Sequence, residues 1–439
     1  MKRRILAWVL PAAVVGIALV ATGAATGKIG PSSAKHPSTL PASSCGPVKY
    51  GGSGKPKFII PSDLPLQGSS RSQTIEMTKA IEFTIKNAGW KAGKYTIGYQ
   101  SCDDSTAQAG KWDPAKCSGN AGLYARDKSV IAVIGTFNSG CAEIEVPVAN
   151  RAGLQYLSPA NTYIGLTHRP ALPGEPNKYY PTGKRTYARV VAADDFQAAA
   201  DLLLMKQLKK KSVYILNDKE AYGFGIASAL RNVAKKSKLL KVAGFQAWDG
   251  KAASYEDIAT KINNSGADVV FLGGVECLNG GKLIKDIKAG APNVTIVGPD
   301  GFSSFKDTIK DAGAASDKMW ISIAGQPFKF LDASGKAFAR KFGKSIGLTA
   351  AKVNPYSNYG ATAAQLLLGA VGASNGTRPS VTAKLYKRCY KNTPIGNFCL
   401  NKNGDTNQGT ISFYQVKGTD APFVKVITPS ASLVAKATP

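Results

Sequence analysis

The order of apolar runs along the chain limits its fold more than any other feature. β-rich runs appear at "KFIIPS" (57–62), "YTIGYQS" (95–101), "VIAVIG" (130–135) and "LQYLSP" (154–159). Stretches of helical period, such as 73–88 and 140–152, separate them. After a long Pro- and Gly-bearing passage the alternation resumes with "SVYILND" (212–218), "LLKVAGFQAW" (239–248), "ADVVFLGG" (267–274), "NVTIVGPD" (293–300) and "KMWISIAG" (318–325). Strands alternating with helices build parallel sheets covered on both faces. Two such series predict an α/β fold of two doubly wound parallel-sheet lobes. With 439 residues and 44% hydrophobic content, the chain can bury a sizeable core in two or three domains.

The pattern then changes. "SNYGATAAQLLLGAVGAS" (357–374) has the spacing of a long packed helix, and "VTAKLYKRCY" (381–390) predicts another. Two short β-rich runs, "TISFYQV" and "FVKVI", follow. A late helix after the second sheet is expected if the chain crosses back to the first lobe. The expected organisation is lobe 1 at 56–188 completed by 326–390, lobe 2 at 189–325 completed by 391–428, and a tail at 429–439.

The first thirty residues are read as targeting. Lys2, Arg3 and Arg4 precede an uncharged run from Ile5 to Gly27 that ends in small residues, the pattern of a cleaved export signal. The run is also long enough to remain as a membrane anchor, although Pro11 and the small-residue end favour cleavage. Lipid attachment at Cys45 is a weak reading, because that residue does not follow the run closely. Residues 31–55, rich in Ser, Pro, Gly and Lys, are expected to be a flexible tether.

Export makes disulfides the natural state of the seven cysteines, with at least one left over. Cys389 and Cys399 are close enough to close a hairpin, and Cys102, Cys117 and Cys141 fall in one half. With only two histidines, His36 and His168, and no Cys-x-x-Cys pair, a zinc site lacks its usual ligands. The net charge of +28 is spread over predicted helix faces, as in "KKKS" (209–212) and "KKSK" (235–238), without stacking aromatics. That arrangement argues against nucleic acid and suits a general attraction to an anionic cell envelope.

No catalytic set emerges. "GASNG" (372–376) closes a helix and is not poised between strand and helix as a nucleophile elbow must be. "AYGFGIAS" has Gly223 and Gly225 but Ser228 where a third glycine is needed, and no Walker pattern occurs. His168 lies on a predicted loop and reads as a surface histidine. An enzyme and a cofactor are therefore not expected.

Strand ends remain, because open parallel sheets bind ligands outside the carboxyl ends of their strands. Ser139 follows "VIAVIG" and opens a helix, and Thr162 follows "LQYLSP". Their loops should be neighbours and could form a small anion site; equally, Ser139 and Ser158 could simply cap and turn the chain.

The segment "VIGTFNSGCAEIEVPVANRAGLQYLSPANTYIGLT" resembles type I periplasmic binding proteins, the branched-chain amino acid and amide-binding components of ABC transporters. The similarity runs from "PSDLPLQG" (61–68) through "NDKEAYGFG" (217–225) and "VGPDGF" (297–302) to about residue 416. It implies that Ser139 and the loop Ala160, Asn161 and Thr162 hold the α-carboxylate of an amino acid. It further implies that Tyr222 closes over the ligand and that Asp300 takes the α-ammonium. The partner would be a membrane permease; the same fold also serves as an anchored sensing module. The family's disulfide pattern implies pairing of Cys117 with Cys141, leaving Cys102 and Cys277 unassigned. Two positions depart from the pattern. "LGGVEC" places Val275 and Glu276 where an aromatic is usual, and Arg71 stands near the first lobe's entrance loop. Arg71 either reaches a polar ligand end or is a solvated residue at a helix start.

Overall fold

A computed structural model describes residues 40–168 and 172–438. The predicted N-terminal signal or anchor, His36 and the first part of the predicted tether lie outside the described residues. Among those described, no helix is long and apolar enough to cross a membrane.

The first lobe comprises β1 (Phe58–Leu64), α1 (Arg71–Asn87), β2 (Lys91–Ala92), β3 (Tyr95–Asp103), β4 (Ser105–Thr106), β5 (Lys111–Trp112), α2 (Pro114–Arg126), β6 (Ala132–Gly135), α3 (Ser139–Arg151), β7 (Gln155–Ser158) and β8 (Tyr187–Arg189). Its sheet has the order β2-β3-β1-β6-β7-β8, parallel except at β2. The second lobe contributes α4 (Asp194–Gln207), β9 (Ser212–Asn217), α5 (Ala221–Ser237), β10 (Lys241–Ala247), α6 (Glu256–Ser265), β11 (Val269–Gly273), α7 (Gly280–Gly290), β12 (Thr295–Gly298), α8 (Phe305–Ala312) and β13 (Trp320–Ile323). The chain ends with α9 (Ala333–Ser345), α10 (Pro355–Gly372), α11 (Arg378–Ala383), β14 (Arg388–Thr393), β15 (Gly396–Leu400), β16 (Ile411–Gln415), β17 (Phe423–Ile427) and α12 (Ala431–Ala437).

The second sheet runs β10-β9-β11-β12-β13-β16-β17, with β16 and β17 antiparallel. In both sheets the first two long strands are reversed in order, so each lobe has its switch point beside its first long strand, β1 or β9. That is where doubly wound sheets open a crevice at their carboxyl ends. The strands are buried on both faces: Ile60, Leu64, Ile134 and Leu157 pack with Met77 and Ile81 of α1, and Ile215, Val270, Phe271, Val297 and Ile321 form the core of lobe 2. The late helix α10 packs along α1, as expected of a chain returning to the first lobe.

Several expectations need correction. The stretch 381–390 is not one helix: α11 stops at Ala383, and Arg388–Thr393 pairs antiparallel with Gly396–Leu400 across the Cys389–Cys399 disulfide. The expected lobe boundary at 391 falls inside this hairpin. The tether is tied down from Leu40 onward, where Leu40 exchanges hydrogen bonds with the Gln100 side chain and Lys49 bridges to Tyr99. Cys45, which sequence left with only a weak lipid reading, is bonded to Cys102. Finally, the tail is a helix: Val434 and Ala437 are buried, and Ala437 O accepts from Asn232 Nδ2 at 3.3 Å on α5.

The lobes meet at a polar hinge. Asp405, on the segment between β15 and β16, accepts from Arg189 Nε at 3.0 Å, Thr167 Oγ1 at 2.7 Å and His168 Nδ1 at 2.9 Å. His168 Nε2 donates to Asp195 Oδ2 at 3.0 Å, at the start of α4. His168 is therefore not the surface histidine expected from sequence but an ion-paired bridge. Its two carboxylate partners outweigh burial and raise its pKa to about 9. Arg189, His168 and Thr167 hold the Asp405 carboxyl well below the usual range. Because the folded value of His168 lies above its ordinary value near 6.5, this contribution is complete below that pH and disappears as pH rises through about 9. Stability is expected to fall by up to about 3 kcal/mol across that window. Urea unfolding at several pH values should show the decline, and His168→Gln should remove it.

Candidate functional site

The carboxyl ends of both sheets converge on one cleft. β6 ends at Gly135 and α3 begins at Ser139, so the first turn of that helix faces the opposite lobe. Ser139 is the first residue of the helix, and the N-cap Asn138 before it makes no side-chain capping bond. Its hydroxyl instead donates to Asn161 Oδ1 at 3.3 Å. Ser158 does the turning: its Oγ accepts from the N–H groups of Ala160 and Asn161 at 3.2 and 2.8 Å and donates to Thr136 O at 2.6 Å. The two serines that sequence could not separate thus have different tasks. Asn161 does not line the cavity; it supports Ser139, and its carbonyl accepts from Arg189 Nη1 at 3.2 Å.

The second lobe supplies an acid. Asp300 follows β12, and its carboxylate accepts from the hydroxyls of Tyr222, second residue of α5, and Tyr356, second residue of α10. Tyr356 belongs to the lobe 1 side, and its 2.8 Å bond therefore crosses the cleft. Asn354 positions it by accepting from Tyr356 N at 2.9 Å with Pro355 at the first helical position. Burial raises the Asp300 pKa, although both phenols and Gln197 hydrogen-bond to it and oppose the rise. The tight fit of Gly301 brings this loop against the one after β11. A Cβ there would sit 2.1 Å from the carbonyl oxygen of Gly274, and Glu276 N donates to Gly301 O at 3.0 Å.

Further contacts close the mouth. Lys111 of β5 pairs with Glu220 at the start of α5, Trp112 Nε1 donates to Glu220 Oε2 at 3.2 Å, and Ser304 Oγ donates to Ser69 O at 3.2 Å. Inside lies a cavity of about 40 Å³ walled by Ser139, Ala160, Thr162, Tyr222, Asp300 and Tyr356. Beside it a second, of about 30 Å³, is walled by Ser69, Lys111, Trp112, Val275, Glu276 and Cys277. Gln73 and Phe137 border both. At about 10–15 Å³ per water, each holds roughly two or three waters, so the lobes are closed tightly. A wider hollow of about 800 Å³ at the hinge is lined by His168, Asp195 and Asp405. Those groups are already bonded to one another, so it does not present the chemistry found at the strand ends.

Six of the residues singled out from sequence as ligand-binding thus border the two cavities: Ser139, Ala160, Thr162, Tyr222, Asp300 and Glu276. Arg71 does not. It opens α1 exposed to solvent, and Gln73, two residues on, turns inward instead. Sequence reasoning missed Gln73, Phe137 and Tyr356. Only Tyr356 carried a local signal, the Asn-Pro pair that starts its helix. The Cys117–Cys141 disulfide implied by the resemblance is present and ties α2 to the first turn of α3.

A sequence model described as periplasmic binding protein matches residues 64–421. The chain belongs to that family. It falls in the type I, branched-chain amino acid branch, whose members bind solutes and are not enzymes. The Leu/Ile/Val-binding protein BraC3 of Rhizobium johnstonii is 26% identical over 286 residues, covering 64% of this chain and 72% of the relative. An amino acid binding protein of Pseudomonas aeruginosa is also 26% identical, covering 67% and 73%. Among solved structures, a leucine binding protein of Thermotoga maritima has a TM-score of 0.71 at 18% identity, covering 85% of this chain and 99% of that one. A solute binding protein of R. palustris in complex with benzoate has a TM-score of 0.67 at 19% identity, covering 85% and 96%. Both likenesses show the fold of this periplasmic binding protein.

The Tyr356–Asp300 bond joins the lobes through a charged acceptor, an interaction worth about 1.5–3 kcal/mol. Tyr356→Phe should therefore shift this binding protein toward an open form. Solution X-ray scattering of the ligand-free protein is expected to give a larger radius of gyration than for the native chain; an unchanged value would mean the bond does not hold the lobes.

Proposed function

We propose that this protein is the extracytoplasmic solute-binding component of an ABC importer and captures an amino acid between its lobes. The observation that carries the reading is the opposition of two chemistries across one small cavity. On the lobe 1 side, the N–H groups of the first turn of α3 stand at the positive end of a helix, beside the Ser139 hydroxyl and Thr162. On the lobe 2 side stands the Asp300 carboxylate. An α-amino acid has the matching pair, a carboxylate for the first and an ammonium for the second. Tyr222 covers the site and steadies Asp300. The relatives named for binding leucine, isoleucine and valine support the same class.

The mechanism needs no chemistry. A ligand that contacts both lobes stabilises the closed state over the open one, and a membrane permease can distinguish the two shapes. The basic charge of the chain suits retention near an anionic envelope.

Thermal unfolding of the full chain against amino acids, amides, urea and dicarboxylates tests the proposal. Ligand at about 100 times Kd adds about 2.7 kcal/mol of stability and raises the midpoint. An amino acid is expected to raise it. Ser139→Ala and Asp300→Asn should each weaken binding by about 10- to 100-fold, as expected when one partner of a buried or charged hydrogen bond is removed. A midpoint unmoved by every amino acid, or raised equally in Asp300→Asn, would sink the assignment.

A further inference from the structure

An amino acid held by its α-groups at Ser139 and Asp300 must send its side chain somewhere, and the second cavity adjoins the first. Its walls are mixed. Trp112, Phe137 and Val275 offer apolar surface suited to a short methylene chain. The far side is polar and holds a group without a partner: Glu276 is 6% exposed, and its Oε1 has no hydrogen bond. The neighbouring polar groups leave that oxygen unmatched. The Lys111 ammonium is engaged by Glu220. Ser69 is shared between Glu276 and the Cys277 thiol, and burial pushes that thiol up to about 12, so it stays neutral. Burial, with the negative potential of Asp307 and Asp311 added to it, raises Glu276 to about 7.

An unmatched acceptor in a closed site is costly until a donor reaches it. A leucine-like side chain would leave it unmatched; a side chain ending in nitrogen would not. Building on the amino-acid reading above, we infer that the second cavity is a side-chain subsite in which Glu276 selects α-amino acids whose side chains end in an N–H donor, amine or amide. Val275 is consistent with this role. Val275 borders both cavities, where they adjoin.

Calorimetric titration of the full chain with four probes tests the inference: L-ornithine, its isostere L-norleucine, L-glutamine and L-leucine. The native protein should bind ornithine or glutamine at least about 10-fold more tightly than norleucine, since a site built to hydrogen-bond a ligand group discriminates against the analogue lacking it. Glu276→Leu should erase that preference. The isosteric Glu276→Gln, which preserves shape if the leucine variant fails to fold, should weaken ornithine more than glutamine. Norleucine or leucine binding as tightly as the donor-bearing probes would overturn the inference, as would a preference unchanged in both variants. Leucine binding that Asp300→Asn abolishes but both Glu276 variants leave alone would overturn the subsite while keeping the amino-acid site. No binding of any probe would remove both.

Discussion

One buried carboxylate, Asp405, holds together the segments on which the cleft depends. Arg189 comes from the end of the last strand of lobe 1, Thr167 and His168 from the loop after β7, and Asp405 from the segment that returns to lobe 2. All three donors reach the same acid, so none of those segments can shift alone. Arg189 also donates to the carbonyl of Asn161, the residue beneath Ser139. The hinge thus fixes the Ser139 side of the cavity, opposite Asp300. A buried, fully paired charge is a weak source of stability but a strong source of register, and register is what a two-lobed site requires.

The architecture was legible because its signal is repeated. Nine β-rich runs at regular intervals can be read without knowing any contact, and both sheets follow them closely. The strand-end argument located Ser139 and Thr162 for the same reason, since parallel topology puts every carboxyl end on one side, whereas Asp300 came from the family resemblance. Where reading depended on contacts distant in sequence, it failed. Tyr356 meets Asp300 only because α10 returns across the first lobe. Gln73, and not Arg71, points inward because of how α1 rotates on its sheet, which the polar run "SSRSQT" does not reveal. The segment "VTAKLYKRCY" has helical spacing, yet pairing with residues 396–400 across a disulfide overrides that local preference for its second half. Likewise, a Ser- and Pro-rich composition suggested a loose tether, but a disulfide, the Leu40–Gln100 hydrogen bonds and the Lys49–Tyr99 bridge pin its later part to β3.

Charge is divided between inside and outside. The chain carries 56 basic and 28 acidic residues, and several acids are buried: Asp63, Asp104, Asp194, Asp201 and Glu276. Burial lifts Asp194 to about 8 and Glu276 to about 7, so such groups carry less negative charge near neutrality than a formal count assigns. The surface is therefore more basic than the composition indicates, while two acids, Asp300 and Glu276, border the cavities between the lobes.

The placement of the two ends of the described chain has a practical side. Residues 40–50 are laced to β3 of lobe 1, whereas α12 lies on α4 and α5 of lobe 2. Each end is thus carried by a different lobe. A pair of dyes, one near Lys49 and one near Lys436, would ride on the two halves separately, and energy transfer between them would follow the opening and shutting of the molecule in real time without altering any residue of the cleft.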